Sequence, residues 1–438
     1  MLPEIQKMVF KKRPVLKEIL EKYSNLPLQK YVQSWQVGRQ APDKLFLEIL
    51  RNKTAEIYTA NLAESVYNQL LGKPLLSTIS HLGIWNHPIF VNSDLIFSLH
   101  FKAHEIVPVL ATESVSLNNT SSWSASLLLH KQDGNLERYS FLPGQLKNLP
   151  VFSSPTISQK DIQRFQAFTQ GRLDDVVGTL DLESTRSPAN FSTQACRASF
   201  NLWQKVFPSA PKLIYLPLET IVSDYLLKIL VDDGHPIARI IMTNQGRQLW
   251  QKYFSNEHSV MFWGIGHKGR RIVVKNLPDN VHEIISFLKN RKFYPSSPLC
   301  FLVLLICGFS CVGGFTQTTW LTEVKTKLVN LFNEMKVDSA SINSLPTKNF
   351  AESSLAWLKV GSKYVTPTAV DLFKTNKDYY PKYLELANKI TLGQSLQLIT
   401  PTIYNVVVPK QEHLAGFDEG KLESEIFRHL GLESFLNK

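Results

Sequence analysis

Apolar positions recur at helical spacing in the first part of the chain and then change period. Residues 14–23 place Val15, Ile19 and Leu20 on one side and Lys17, Glu18 and Glu21 on the other, which predicts a short amphipathic helix. From Pro42 to Leu71 a stripe of Tyr58, Leu62, Val66 and Leu70 at i, i+4 predicts one long helix, with Gly72-Lys73-Pro74 as its stop. The next stretch, 76–94, sets His81, Asn86 and His87 in apolar surroundings. Gly83 and Pro88 favour turns there, so a loop is expected.

Between 89 and 142 the runs 95–101, 106–111, 124–130 and 136–141 favour strands, and Asp133-Gly134 between the last two is a hairpin signal. An antiparallel sheet of about four or five strands is expected. Turn formers from Pro143-Gly144 to Ser153-Ser154-Pro155 mark a boundary, and Ser158 with Asp161 reads as a helix N-cap. Helices are then expected at 189–206, 219–232, 244–255, 281–290, 298–311, 320–334, 367–375, 380–390 and 421–435. Strands at 212–216 and at 260–265 with 271–275 interrupt them. The fold class is α+β, with a β-rich N-terminal part carrying the antiparallel sheet and the long helix, and a mainly helical C-terminal part. The corresponding domains are 1–150 and 151–438, the second with a Gly-rich β-hairpin near 260–275.

Composition adds limits. With 438 residues, 44% of them apolar and 19% charged, the chain has the material for a large folded interior. A net charge of +11 favours anionic partners, whether phosphorylated small molecules, anionic lipid or nucleic acid, over cationic ones. Basic residues are spread along the chain, the densest clusters being Lys11-Lys12-Arg13 and Lys268-Gly269-Arg270-Arg271. Four cysteines are too few and too uneven for a disulfide framework. They suit a reducing compartment. The first residues lack a continuous apolar core of signal-peptide length, so a cytoplasmic location is expected. The apolar run 301–315 falls short of the roughly 20 residues a membrane span needs and predicts a buried helix instead.

The loop carrying His81 and His87 is the leading candidate for chemistry. A neutral imidazole can transfer a proton, donate to a substrate oxygen or ligate a metal. His81, His87 and Asn86 form the expected catalytic group. A divalent metal ion is the candidate cofactor, with His81, His87 and His104 as ligands. His100 and His104 would lie about 13 Å apart along one continuous strand, so both can join only if the strand ends between them. Structural capping by the histidines is the alternative.

Asn118, Asn119 and Trp123 offer amides and an indole for binding a polar substrate, against the plainer account of a polar turn. Gly264, Gly266 and Gly269 form a G-x-G-x-x-G, but a strand follows where a dinucleotide fold needs a helix, so a hairpin is expected. Its Lys268, Arg270 and Arg271 are the candidates for holding an anion. Gly313-Gly314-Phe315-Thr316 can also present N–H donors to an anion before a helix. Asp232, Asp233 and His235 read as a polar helix terminus, and Cys300, Cys307 and Cys311 as core.

These residues point to an enzyme acting on a polar, anionic small molecule, as a hydrolase, lyase or transferase. The alternative is a non-catalytic module that binds nucleic acid or a protein through its basic surface. The first predicts loss of turnover without His81 and His87. The second predicts binding that weakens steeply with salt.

Overall fold

The segment Ile106–Ala111 is buried at all six positions, and this decides the architecture. A strand with no polar side must be covered on both faces, as parallel sheets are. In the computed structural model, which describes residues 1–120, 122–182, 190–254 and 260–433, it lies inside a five-stranded parallel sheet. In chain order the strands are β1 (Leu75–Ser77), β2 (Ile106–Ala111), β3 (Lys212–Pro217), β4 (Ser310–Gly313) and β5 (Asn349–Phe350). Their order across the sheet is β5-β4-β1-β2-β3. Ser77 faces Val109 of β2 on one side and Val312 of β4 on the other.

The winding therefore runs outward in both directions from β1. This is the strand order of doubly wound sheets, in which the order reverses beside the first strand.

Several expectations change accordingly. The antiparallel sheet expected over 89–142 reduces to one hairpin, Ser126–His130 with Leu136–Ser140. Residues 95–101 belong to the helix Pro88–Ser98 and the turn after it. That helix is buried on nearly every side, so its apolar residues show no 3.6 period to read. The long helix from Pro42 to Leu71 is two, Lys44–Ile57 and Ala60–Gly72. Tyr58 leaves helical geometry between them and Thr59 caps the second through its hydroxyl, which accepts from the Leu62 amide. The apolar run after residue 297 also splits. The helix Ser297–Ile306 ends where Gly308 takes φ +83°, and Cys311 lies in β4.

β1 and β2 come from the part before residue 150 and β3 to β5 from the part after it, so the two expected parts share one sheet and one continuous apolar core. The hairpin at 260–275 is present, as Phe262–Ile265 paired with Arg271–Val273, and Phe293–Pro295 adds a third strand. Among the described residues no helix is long and apolar enough to cross a membrane. Ser121 and the outer ends of the helices expected at 189–206, 244–255 and 421–435 lie outside the described residues.

Candidate functional site

Beyond Ser77 the chain parts from β4 and follows β2. The Thr78 amide still donates to the Val312 carbonyl at 3.2 Å, but two residues on, the Ser80 carbonyl accepts from Thr112 at 3.0 Å. The Leu82 amide then donates to the Thr112 carbonyl at 2.8 Å. His81 is thereby fixed beside Thr112, at the carboxyl end of β2 and on the direct continuation of β1. Asn119 hydrogen-bonds the His81 ring, while Nδ1 is buried and has no hydrogen-bond partner among the described residues. Burial holds the ring pKa down to about 4, against the opposing pull of Asn119, so the imidazole is neutral near pH 7.

The two histidines of the loop do meet. Their rings flank Phe90, at centroid distances of 5.5 Å for His81 and 5.8 Å for His87. The Trp123 ring lies 6.1 Å from His87, with the Arg138 guanidinium 5.6 Å from the indole centroid.

His87, however, is engaged as a helix cap. Its Nδ1 accepts from the Ile89 amide at 3.3 Å, Pro88 occupies the first turn of the helix, and the Thr120 backbone hydrogen-bonds the ring. Burial and the neighbouring His81 hold its pKa down to about 4 as well. His235 repeats the device before Pro236, its Nδ1 accepting from the Ile237 amide at 3.2 Å, so the structural account of that cluster stands.

Asn86 serves the fold too. Its Oδ1 accepts from the Val370 amide and its carbonyl from the Ala369 amide, both at 3.2 Å, which ties the loop to the helix Ala369–Lys374. Asn118 turns away to Asn148, donating from Nδ2 at 3.2 Å, whereas Asn119 faces His81. The metal set His81, His87 and His104 is not assembled. His104 is exposed and precedes β2, whereas His81 lies past its other end, with a strand of about 20 Å between them. Among the described residues no group of three His, Cys, Asp or Glu side chains is placed to hold a metal ion.

The basic hairpin divides. Lys268 and Arg270 are exposed at its turn, with Lys268 at φ +56°. Arg271 lies 4.3 Å from the Trp263 ring centroid and reaches the Ser114 carbonyl at 3.4 Å, just beyond β2.

The anion cradle expected at Gly313-Gly314 exists, and the chain itself fills it. The Phe315 amide donates to Oε2 of Glu352 at 2.7 Å, and a Cβ on Gly314 would overlap that carboxylate. Burial pushes Glu352 up to about 7, partly offset by the Phe315 bond. Gln317, two residues after Phe315, ties the turn after β4 to the chain leaving β1, its Nε2 donating to the Thr78 carbonyl at 3.0 Å and to its hydroxyl at 2.7 Å.

Further buried carboxylates escaped sequence reasoning. Glu113 follows β2 and Glu219 follows β3, and each caps the backbone beside the other: the Glu113 amide donates to Glu219 at 2.7 Å and the Thr220 amide to Glu113 at 2.7 Å. Ser192 donates its hydroxyl to Glu113 at 2.6 Å. Burial, reinforced by the charge of Glu113, pushes Glu219 up to about 7. Asp94 accepts from the Tyr215 hydroxyl at 2.5 Å and from Ser80 at 3.3 Å, and burial raises it to about 7. The available signal was an acid two residues after the runs 106–111 and 212–217, or set among apolar residues, as Asp94 is between Phe90 and Phe101. A buried pair of His130 and Asp371, 2.6 Å apart, also went unread and pins the hairpin to the helix Ala369–Lys374.

No protein-family model matches the chain, and no curated protein matches it.

Proposed function

We propose that the protein is an enzyme acting on a polar, anionic small molecule bound at the carboxyl edge of the parallel sheet, with His81 as its proton-transfer residue. The observation that carries this reading is positional. The strand order reverses at β1, where open α/β sheets bind their ligands, and His81 on the continuation of β1 keeps a ring nitrogen that has no partner among the described residues. Among the described residues His87 is bonded to its helix, Glu352 to Phe315 and Gln317 to Thr78, while the Ser77 hydroxyl and Asn86 Nδ2 share with His81 Nδ1 the lack of a partner, and of these His81 alone is a titratable group.

A neutral imidazole oriented by Asn119 can accept a proton from a substrate hydroxyl or acidic C–H and return it, which is general acid–base chemistry. The indole of Trp123 supplies an apolar wall beside His87, and the Arg138 cation lies over that indole.

The test is turnover of a panel of small carboxylic acids and phosphate esters in D2O, followed by proton NMR. Conversion or deuterium incorporation is expected for at least one compound, falling at least about 100-fold in His81→Gln with the melting temperature kept. His104→Gln is expected to match the parent. Turnover that survives His81→Gln defeats the assignment.

A further inference from the structure

A second polar site lies on the β2–β3 side of the sheet. A cavity of about 420 Å³ opens beside the end of β3 and the start of the helix Phe191–Val206, lined by Ser192, Thr193, Thr220, Asp224, Lys289 and Arg291. A second cavity of about 370 Å³ shares Lys53, Glu56, Asp224, Leu227 and Lys289 with it, so the two form one groove.

Charge within the groove is unevenly matched. Lys53 stands between the two acids, 2.7 Å from Glu56 and 3.6 Å from Asp224, and satisfies both. Arg291 has no carboxylate within ion-pair distance among the described residues, and neither has Lys289. The Arg291 guanidinium is nevertheless held in place. It lies 4.9 Å from the Phe152 ring centroid, and Nη2 donates to the Thr220 hydroxyl at 3.1 Å. That hydroxyl donates onward to buried Glu113 at 2.5 Å. One edge of the fork is thus fixed by the protein, and its other N–H groups carry no acceptor described in the fold.

A planar, oriented guanidinium with no carboxylate at ion-pair distance, the charge of Asp224 reaching it only from farther off, is a receptor for the two oxygens of a carboxylate or phosphate. The positive end of the helix dipole at Ser192 and Thr193 and the charge of Lys289 act in the same direction. We infer that this groove binds an oxyanion-bearing small molecule, with its carboxylate or phosphate on Arg291. The site is separate from the His81 reading and does not depend on it.

The experiment is calorimetric titration of the full chain in phosphate-free buffer, with inorganic phosphate in one arm and malonate in the other, so that the two oxyanion chemistries are told apart. Saturable binding of at least one is expected. Affinity should fall at least about tenfold in Arg291→Gln, recover in part in Arg291→Lys, and stay at the parent value in His81→Gln and Lys268→Gln. Circular dichroism melts establish that each variant is folded, and Arg291→Lys carries the comparison if Arg291→Gln is not. Equal affinity in the parent and Arg291→Gln, or no saturable binding of either anion, overturns the site. Weakening in His81→Gln together with unchanged Arg291→Gln would place the anion at the other site and overturn it equally.

Discussion

His81 and His87 flank one phenyl ring, that of Phe90, yet only His87 has its Nδ1 committed to the backbone. That asymmetry separates a structural histidine from a chemical one, and it makes the two substitutions distinguishable. His87→Ala removes the acceptor for the Ile89 amide and should lower stability by about 1 kcal/mol, whereas His87→Asn keeps a capping oxygen and should recover most of it. Urea denaturation of the three proteins measures this. Equal stability of His87→Ala and the parent would contradict the cap.

The same cap carries a pH dependence. The folded His87 pKa of about 4 lies below the ordinary value of 6.5, so the unfolded chain takes up the proton first as the solution is acidified. Its contribution is complete above pH 6.5 and is lost as pH falls toward about 4. The parent should therefore lose stability relative to His87→Asn as pH falls between those values.

Glu352 has the opposite sign. Its folded pKa of about 7 exceeds the ordinary 4.5, so the folded state holds a proton that the unfolded state releases. Stability is full below pH 4.5 and declines as pH rises through about 7. Glu352→Gln retains an acceptor for the Phe315 amide and carries no charge, so it should be more stable than the parent above neutral pH, on the order of 3 kcal/mol. Melting temperatures from pH 5 to 8 should converge at the acid end. Parallel curves would count against a buried ionisation at this site.

Gly83 sits in the loop with its Cα packed on Ser124: an added Cβ would lie 2.5 Å from the Ser124 Cα and 2.8 Å from its carbonyl oxygen. Those are backbone atoms held by the Ile84 amide, which donates to the same carbonyl at 2.9 Å, so they cannot step aside cheaply. Gly83→Ala should cost about 2 kcal/mol or more and displace the His81 ring, as read by chemical denaturation and by histidine proton shifts. Unchanged stability would mean that the loop is looser than this packing requires.

All four cysteines are buried, and burial pushes each thiol up, Cys311 to about 12. Thiol reagents should label the native protein only as fast as it opens, with all four reacting promptly in denaturant. Prompt labelling of any of them in the native state would contradict this burial.

Local chemistry made several pieces legible in the sequence alone: the Asp133-Gly134 hairpin, the Ser158–Asp161 capping box and the β-hairpin behind Gly264-x-Gly266. Each depends on residues only a few positions apart, where backbone preference and side-chain reach act directly. Tertiary structure alone decided that 106–111 pairs in parallel, that 88–98 is a helix and that Glu113 meets Glu219. A segment buried on every side loses the periodicity that separates helix from strand, and the partner of a carboxylate a hundred residues away leaves no mark in its local sequence. That His81 Nδ1 has no partner among the described residues belongs to the second kind, because it is a property of everything around a residue.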